Sequence, residues 1–213
     1  DFELAPRNAW KARFPNASID ACYFHFTQSM RSKVKELKID LTIIGNYTTY
    51  NRCRFLPFLK EADVPNAFLE IRQAATADMS TFLDYLSLYY IDGSANGNGP
   101  RYKIDEWTVT GRFGCPRTNC TAEAYNSVFS KKIGPNGPKL ASRLIELLIH
   151  EESRVAVGLP AFYADPQFRI GRPSCPHTKR RNDKIRRALL NVNNFTGCRY
   201  LDYISNMVGK YRK

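Results

Sequence analysis

Glu123 is a side chain whose position in the sequence suggests chemistry. It follows the turn-forming residues Thr118 and Asn119 and stands at the start of a segment that favours helix. Asn119 or Thr121 can accept a hydrogen bond from the free N–H groups of the first helical turn. The sequence therefore predicts a carboxylate near the positive end of a helix, where an anion is favoured. Taken alone, the pattern also fits an ordinary helix start.

Cys22 and His25 are a second pair whose types and spacing could do chemistry, because they stand at Cys-X-X-His spacing. Such a pair can provide two ligands to one Zn²⁺, and Cys175 with His177 is the pair that would complete a four-ligand structural site. The alternative is a buried cysteine and a hydrogen-bonded histidine at the junction of a strand and a helix. The sequence leaves both interpretations open.

The third candidate is a basic segment with eight basic residues and one acid, Asp183, between Arg169 and Arg187. Its densest part is a candidate DNA-binding patch that consists of Lys179, Arg180, Arg181, Lys184, Arg186 and Arg187. Such a run is a solvated helix face, a nuclear import signal or a patch that contacts phosphates. Phosphate contacts would make binding weaken steeply as salt is added.

The composition of the 213-residue chain supports a packed core, because 43% of the residues are hydrophobic and 13% are aromatic. The formal net charge of +12 favours a polyanionic partner, and nucleic acid is the commonest one. No apolar run approaches the roughly 20 residues that cross a bilayer, which predicts that the protein does not span a membrane.

Six cysteines and four glycosylation tripeptides also fit a basic secreted disulfide protein. The cysteines are Cys22, Cys53, Cys115, Cys120, Cys175 and Cys198, and the tripeptides begin at Asn16, Asn46, Asn119 and Asn194. A chain of this size does not need disulfides for stability. We therefore interpret the thiols as mostly free and buried, and we expect an intracellular protein rather than a secreted one.

Helical periodicity dominates the elements that would position these groups. One helix is predicted from Tyr23 to about Leu37, with Phe26, Met30 and Val34 on one side. The aromatic residues 82–90 belong to a core helix rather than to a base-stacking surface. A short strand over residues 17–22, a polar connector over 45–50 and an exposed loop over 92–100 are also predicted, as is a final amphipathic helix over 189–207.

Three segments, in chain order, resemble the MULE (Mutator-like element) transposase domain. Residues 1–5 match its "TDFE.A" segment, residues 22–26 match "C.FHF", and residues 117–119 with Glu123 match "RTNN..E". The chain departs from the pattern at Cys120, which replaces the second Asn. It also departs at residues 124–126, where the family tends to have Gly-Trp-His. The resemblance covers most of the chain.

The resemblance implies a mostly α fold with a few short strands, as the C-terminal part of an RNase H-like α/β catalytic core with a helical insertion. By the same resemblance, Asp1 is the second catalytic carboxylate and Glu123 the third, and the first lies upstream. Such carboxylates hold two Mg²⁺ or Mn²⁺ ions that activate the attacking oxygen and stabilise the leaving one.

The implied domains are the end of the catalytic core over residues 1–30 and the helical insertion over 31–113. The Glu-bearing helix and the next helix follow over 114–157, and a basic helical region occupies 158–213. The leading hypothesis is a fragment of a nuclear, DNA-cleaving and strand-joining transposase, which as an intact enzyme could form homo-oligomers. With two of three acids, this chain should not cut DNA. The alternative is a domesticated remnant that binds DNA or protein without catalysis.

Overall fold

The computed structural model describes residues 2–94, 96–97, 99–112, 117–118, 120–134, 137, 141–164 and 176–208. Its α-helices, in chain order, are α1 (Leu4–Arg13), α2 (Tyr23–Glu36), α3 (Ile44–Phe55), α4 (Val64–Ala74), α5 (Ser80–Leu86), α6 (Ile104–Trp107), α7 (Cys120–Ile133), α8 (Ala141–Ala164), α9 (Pro176–Leu190) and α10 (Gly197–Val208). Short 3₁₀ segments precede α4 and α5, and a π-helical turn, Ser87–Ile91, extends α5. Within these ranges, no helix combines the length and apolar character needed to cross a membrane.

The predicted fold class is wrong, because the described residues form an all-α fold without strands and not part of an RNase H-like α/β core. Residues 17–22, the predicted strand, contribute single contacts instead of a ladder. The Ala21 N–H donates to the Glu106 carbonyl oxygen at 2.6 Å, and the Arg112 guanidinium donates to the Ala21 carbonyl oxygen at 3.0 Å. A helix end and a side chain therefore satisfy backbone groups that a neighbouring strand would otherwise bind.

The chain divides into two compact units. Asp1–Thr118 and Arg180–Lys213 form the first unit, and Asn119–Lys179 forms the second. The boundary falls within α9, so most of this helix belongs to the first unit.

Aromatic side chains fill the core of the first unit. Phe26 of α2 stacks on Trp107 of α6 with ring centroids 5.0 Å apart, and Tyr90 packs edge-on against both rings. The predicted inner face of α2 is confirmed, since Phe26, Met30 and Val34 are all buried. The interpretation of residues 82–90 as core is confirmed for Phe82 and Tyr90, both of which are almost fully buried.

Helix α3 replaces the polar connector that the sequence predicts over residues 45–50. Several of its polar residues are buried: the Asn46 amide donates to the Asp40 carbonyl oxygen at 3.0 Å, and Tyr50 is 1% exposed. Gly45 allows the close approach of a neighbouring segment, because a Cβ at this position would lie 2.7 Å from Thr76 Cγ2. Packing therefore overrides the weak helix propensity of this segment.

Helices α9 and α10 replace the single helix that the sequence predicts over residues 189–207. The Asn191 amide donates to the Arg187 carbonyl oxygen at 2.9 Å at the end of α9, and Gly197 adopts a positive φ of 50° where α10 begins. The Cys198 N–H then donates to the Glu70 carboxylate of α4 at 2.9 Å. Glu70 thus satisfies a free amide at the start of α10, which fixes the break between the two helices.

Candidate functional site

The predicted basic patch lies on α9 and is exposed. Lys179, Arg180, Arg181, Lys184, Arg186 and Arg187 all have exposed side chains. The opposite side of the helix packs into the first unit through Ile185 and Ala188, which are at most 2% exposed. The Tyr200 hydroxyl of α10 also donates to the Ala188 carbonyl oxygen at 3.2 Å. The helix that carries the charges is therefore fixed to a core.

Three of these cations form a narrower feature, which we call the basic stripe: Arg180, Lys184 and Arg187. Their spacing of four and three residues places them on one side of α9, over about 10 Å at 1.5 Å per residue. The one acid in this part of the helix, Asp183, is three residues after Arg180 and four before Arg187, so it borders the stripe and offsets part of its charge. The stripe therefore presents a line of positive charge suited to a polyanion.

Arg181 is four residues before the buried Ile185 and belongs to a second feature, the arginine cluster: Arg54, Arg117 and Arg181. The positive charges of all three act on the phenol of Tyr23, the first residue of α2. Arg54 is 8% exposed and donates to the Asn51 side-chain oxygen at 3.2 Å. All of these residues belong to the first unit.

Hydrogen bonds fix the Arg117 segment between α2 and α9. The Arg117 guanidinium donates to the Asn182 side-chain oxygen at 2.7 Å, and the Tyr23 N–H donates to the Arg117 carbonyl oxygen at 2.9 Å. Burial lowers the pKa of the Arg117 guanidinium, and the nearby charge of Arg181 lowers this pKa further. Burial raises the pKa of the Tyr23 hydroxyl, although the three arginines act in the opposite direction. Within the cluster, Arg54 is buried, Arg117 is half-buried and Arg181 is exposed.

Glu123 lies in the first turn of α7, as the sequence predicts, and its side chain is exposed. Asp1 and the proposed cap Asn119 lie outside the described residues, as does the side chain of Thr121. The proposed pairing of Asp1 with Glu123 around Mg²⁺ or Mn²⁺ therefore stays a prediction.

Cys22 and His25 occupy the start of α2, where Cys22 is the buried residue just before the helix. His177 is exposed on α9, and Cys175 lies outside the described residues. Among the described side chains, no group of three or more His, Cys, Asp or Glu could hold a metal ion. The zinc interpretation stays a prediction, because its fourth ligand is not described.

Cys22, Cys53 and Cys198 are thiols rather than members of a disulfide. Burial raises the pKa of the Cys53 thiol well above its ordinary value, and it raises the pKa of the Cys198 thiol to about 11. Both thiols are therefore protonated near neutral pH and are poor nucleophiles. Cys115 and Cys175 lie outside the described residues, as does the side chain of Cys120.

The first unit also contains an open cavity of about 710 Å³ that the sequence does not predict. Carboxylates from Asp20, Glu61 and Asp105 line it together with the cations Lys60 and Arg112. Arg112 Nε lies 3.6 Å from Asp20 Oδ1 and also donates to the Thr108 carbonyl oxygen. The Arg112 guanidinium is therefore engaged in contacts within the protein. The mixed charges of this cavity do not single out one class of ligand.

The basic patch on α9 follows from local charge density in the sequence, but the contact of Arg117 with Asn182 does not. These two residues are 65 positions apart in the sequence and share no motif. The available signal was Arg117 itself, which lies in the segment that resembles "RTNN..E". No family model, no curated protein and no solved structure matches the chain.

Proposed function

We propose that this chain is a non-enzymatic, helical DNA-binding module derived from a MULE-type transposase, and that it contacts the DNA backbone through the basic stripe on α9. The observation that carries this proposal is the exposure of Arg180, Lys184 and Arg187 on one side of a helix whose other side is buried. The resemblance of the sequence to the transposase family supports DNA as the polyanion. A nuclear location is part of the same proposal.

The charge of the chain favours this function over a purely structural one. Lys and Arg outnumber Asp and Glu by 32 to 20, and much of this excess lies in and around α9. Phosphate contacts release counterions from DNA, so each contact adds to the affinity and to its salt dependence. Such contacts carry no sequence information, and they position the protein on the duplex.

The anchoring of α9 favours binding because the cations are held on a rigid element. Ile185 and Ala188 fix the orientation of the helix, so DNA binding would not require the helix to fold or to dock. Less conformational entropy is then lost on binding. The proposal therefore predicts binding by the folded first unit rather than by an unfolded basic segment.

Fluorescence anisotropy with a labelled DNA duplex over a range of salt concentrations tests the proposal. The substitutions Arg180→Gln, Lys184→Gln and Arg187→Gln together should weaken binding and reduce the salt slope by roughly 3, at about 0.9 per lost phosphate contact. The charge-matched control combines Lys35→Gln, Lys38→Gln and Arg199→Gln, which are exposed elsewhere on the first unit. If both triple variants lose the same DNA affinity and salt dependence, the basic stripe is not the DNA interface.

The exposed position of Glu123 in the first turn of α7 favours a second candidate function, the metal-dependent DNA strand cleavage and transfer of the intact transposase. In that proposal Asp1 and Glu123 bind Mg²⁺ or Mn²⁺, which would stabilise the charge that develops on the reacting oxygens. Incubation of supercoiled plasmid with each metal provides the test. Cleavage that Glu123→Gln abolishes would support the enzyme, whereas cleavage that survives this substitution would exclude Glu123 from the reaction.

A further inference from the structure

We propose that Asp183 of α9 reads one base of the DNA, and that this base is a cytosine whose amino group donates to the carboxylate in the major groove. The protein then recognises a sequence, whereas the basic stripe alone binds any duplex. This inference deepens the proposed function and rests on it, because it needs α9 to be the helix that meets the DNA.

The first argument is the position of Asp183 on α9. At about 100° per residue, it lies roughly 160° around the helix from Ile185 and roughly 140° from Ala188, which are the two buried residues of α9. Every residue from Arg180 to Arg187 except Ile185 is exposed. Asp183 is therefore on the outermost line of the helix, opposite the side that packs into the first unit.

The second argument is the arrangement of the cations around this carboxylate. Arg180 and Arg187 lie about 60° and 40° to one side of Asp183, and Arg186 lies about 60° to the other side. The major groove is about 12 Å wide and admits an α-helix, with base edges at its floor and a phosphate backbone along each side. Cations on both sides of α9 can thus contact phosphates and position the helix, while the residue between them faces the bases.

The third argument is the chemistry of a carboxylate within a basic surface. An ionised carboxylate only accepts hydrogen bonds, and it repels the phosphates that the neighbouring cations attract. Within the part of the chain that the structure describes, no ion pair or hydrogen bond engages the Asp183 side chain. Its oxygens are therefore open to a donor from DNA.

The pattern of donors in the major groove favours cytosine as that partner. Cytosine presents only the N4 amino donor there, and Asp or Glu accepts from it. Adenine presents the acceptor N7 beside its N6 amino group, which disfavours a carboxylate and suits an amide. Guanine presents two acceptors and suits an arginine or a lysine. The side chain of Asp183 thus selects one base of the four.

Selection of binding sites from a pool of randomised DNA duplexes, with the full chain at a fixed salt concentration, tests the inference. The unsubstituted protein should enrich duplexes with cytosine at one position. Replacement of that base pair should weaken binding by about 5- to 100-fold in fluorescence anisotropy. Asp183→Asn should change the preference at this position to adenine, because an amide pairs with N6 and N7 of adenine. Asp183→Ala should remove the preference at this position.

Asp78→Asn is the matched control, because Asp78 is an exposed aspartate of the first unit that precedes α5. It removes the same charge and should enrich the same duplexes as the unsubstituted protein. Circular dichroism shows whether each variant is folded, and substitution of the exposed Asp183 should leave the free energy of unfolding within about 0.5 kcal/mol. A changed preference in Asp183→Asn then reports recognition of the base rather than loss of the fold.

The outcomes separate this inference from the proposed function. If Asp183→Asn enriches the same sequences as the unsubstituted protein, or if the unsubstituted protein binds duplex without enriching any sequence, Asp183 reads no base. The proposed function would stand in both cases, because backbone contacts through the basic stripe need no sequence preference. If Asp183→Asn changes the preference at a position where the unsubstituted protein selects another base, the assignment to cytosine is wrong. If the unsubstituted protein retains no duplex, the proposed function is wrong and the inference fails with it.

Discussion

The two units differ in what they bury. The first unit buries aromatic and aliphatic side chains from almost all of its helices, including Trp107, Phe26 and Tyr90. In the described part of the second unit, only Glu151 is buried. The large apolar side chains of α7 and α8 that are exposed are Tyr125, Val128, Ile145, Leu148, Ile149, Val155, Val157, Leu159 and Tyr163.

This difference indicates two kinds of stability. Burial of apolar area contributes about 25 cal/mol per Å², so the core of the first unit should unfold cooperatively and at high free energy. In the second unit, Glu151 of α8 instead binds Lys132 of α7 and Arg154 of α8. Helices with few buried apolar contacts open locally at low free energy. The basic stripe and the arginine cluster both lie in the unit with the core.

The largest effect is expected from removal of an aromatic side chain of the core. Trp107→Ala should destabilise the first unit by about 3–5 kcal/mol, because it leaves a cavity beside Phe26 and removes the hydrogen bond from the indole to the Tyr102 carbonyl oxygen. The matched control is Trp10→Ala, since Trp10 is 58% exposed. Urea unfolding should show a change of about 0.5 kcal/mol or less for the control. Similar losses in both variants would contradict the proposed core.

The second prediction compares glycines with similar backbones in the two units. Gly197→Ala should cost about 2–3 kcal/mol, because its φ is +50° and a Cβ would displace the Glu70 carboxylate that accepts from the Cys198 N–H. Gly134→Ala in the second unit shares the positive φ, at +93°, but a Cβ there meets nothing within 4 Å. Its cost should be about 1–2 kcal/mol from the backbone alone. If urea unfolding shows that Gly134→Ala lowers the free energy of unfolding more than Gly197→Ala does, this prediction is wrong.

The helices with strong apolar periodicity could be predicted from the sequence. The bounds and the buried face of α2 follow from the spacing of Phe26, Met30 and Val34. The position of Glu123 in a first helical turn follows from local capping rules. These features depend on residues within one or two turns of each other, which is the range over which sequence patterns are informative.

The features that depend on distant contacts could not be predicted. Residues 45–50 form part of α3 because Asn46 and Tyr50 are buried by other helices, and residues 17–22 find single partners on α6 and Arg112 rather than a strand. The hydrogen bond from Arg117 to Asn182 of α9 likewise joins residues that are far apart in the sequence. A resemblance that locates motifs along the chain does not determine these contacts.

The third prediction concerns a partly buried carboxylate of the first unit. Glu106 of α6 binds Arg7 and Lys11 of α1 at 2.5 and 2.6 Å. Burial alone would raise the pKa of the Glu106 carboxyl, but its bonds to Lys11 and Arg7 hold this pKa below the ordinary value of 4.5. Because the pKa is lower in the folded state, the stabilisation is complete above about pH 4.5 and is lost as the pH falls through the folded pKa.

Glu106→Gln should therefore destabilise the first unit by about 1–3 kcal/mol at pH 7, since it weakens charge-assisted hydrogen bonds at a partly buried site. The variant should also lose less stability than the unsubstituted protein between pH 5 and about pH 3. Unfolding by urea at several pH values measures both effects. Glu36→Gln is the control, because Glu36 pairs with Lys33 on the surface and is 66% exposed. If Glu106→Gln leaves the pH dependence of the free energy of unfolding unchanged, a group other than Glu106 causes that dependence.

The smallest effect is expected in the second unit, at the carboxylate that joins α7 to α8. Hydrogen bonding to Lys132 lowers the pKa of the Glu151 carboxyl, and Arg154 adds to this effect with a hydrogen bond of 2.8 Å. Glu151→Gln should weaken both contacts and so speed amide hydrogen exchange in α7 and α8. Exchange in the core of the first unit, for example in α4, should stay the same.

Glu146→Gln provides the matched control, because Glu146 is on the same helix and pairs with Arg143 at 3.0 Å, with both side chains more than 60% exposed. Exposed pairs of this kind contribute little, so this variant should exchange like the unsubstituted protein. Acidification through the lowered pKa of Glu151 should reproduce the effect of Glu151→Gln after correction for intrinsic exchange rates. If Glu146→Gln and Glu151→Gln change exchange equally, helix charge rather than the contact between α7 and α8 holds the second unit together.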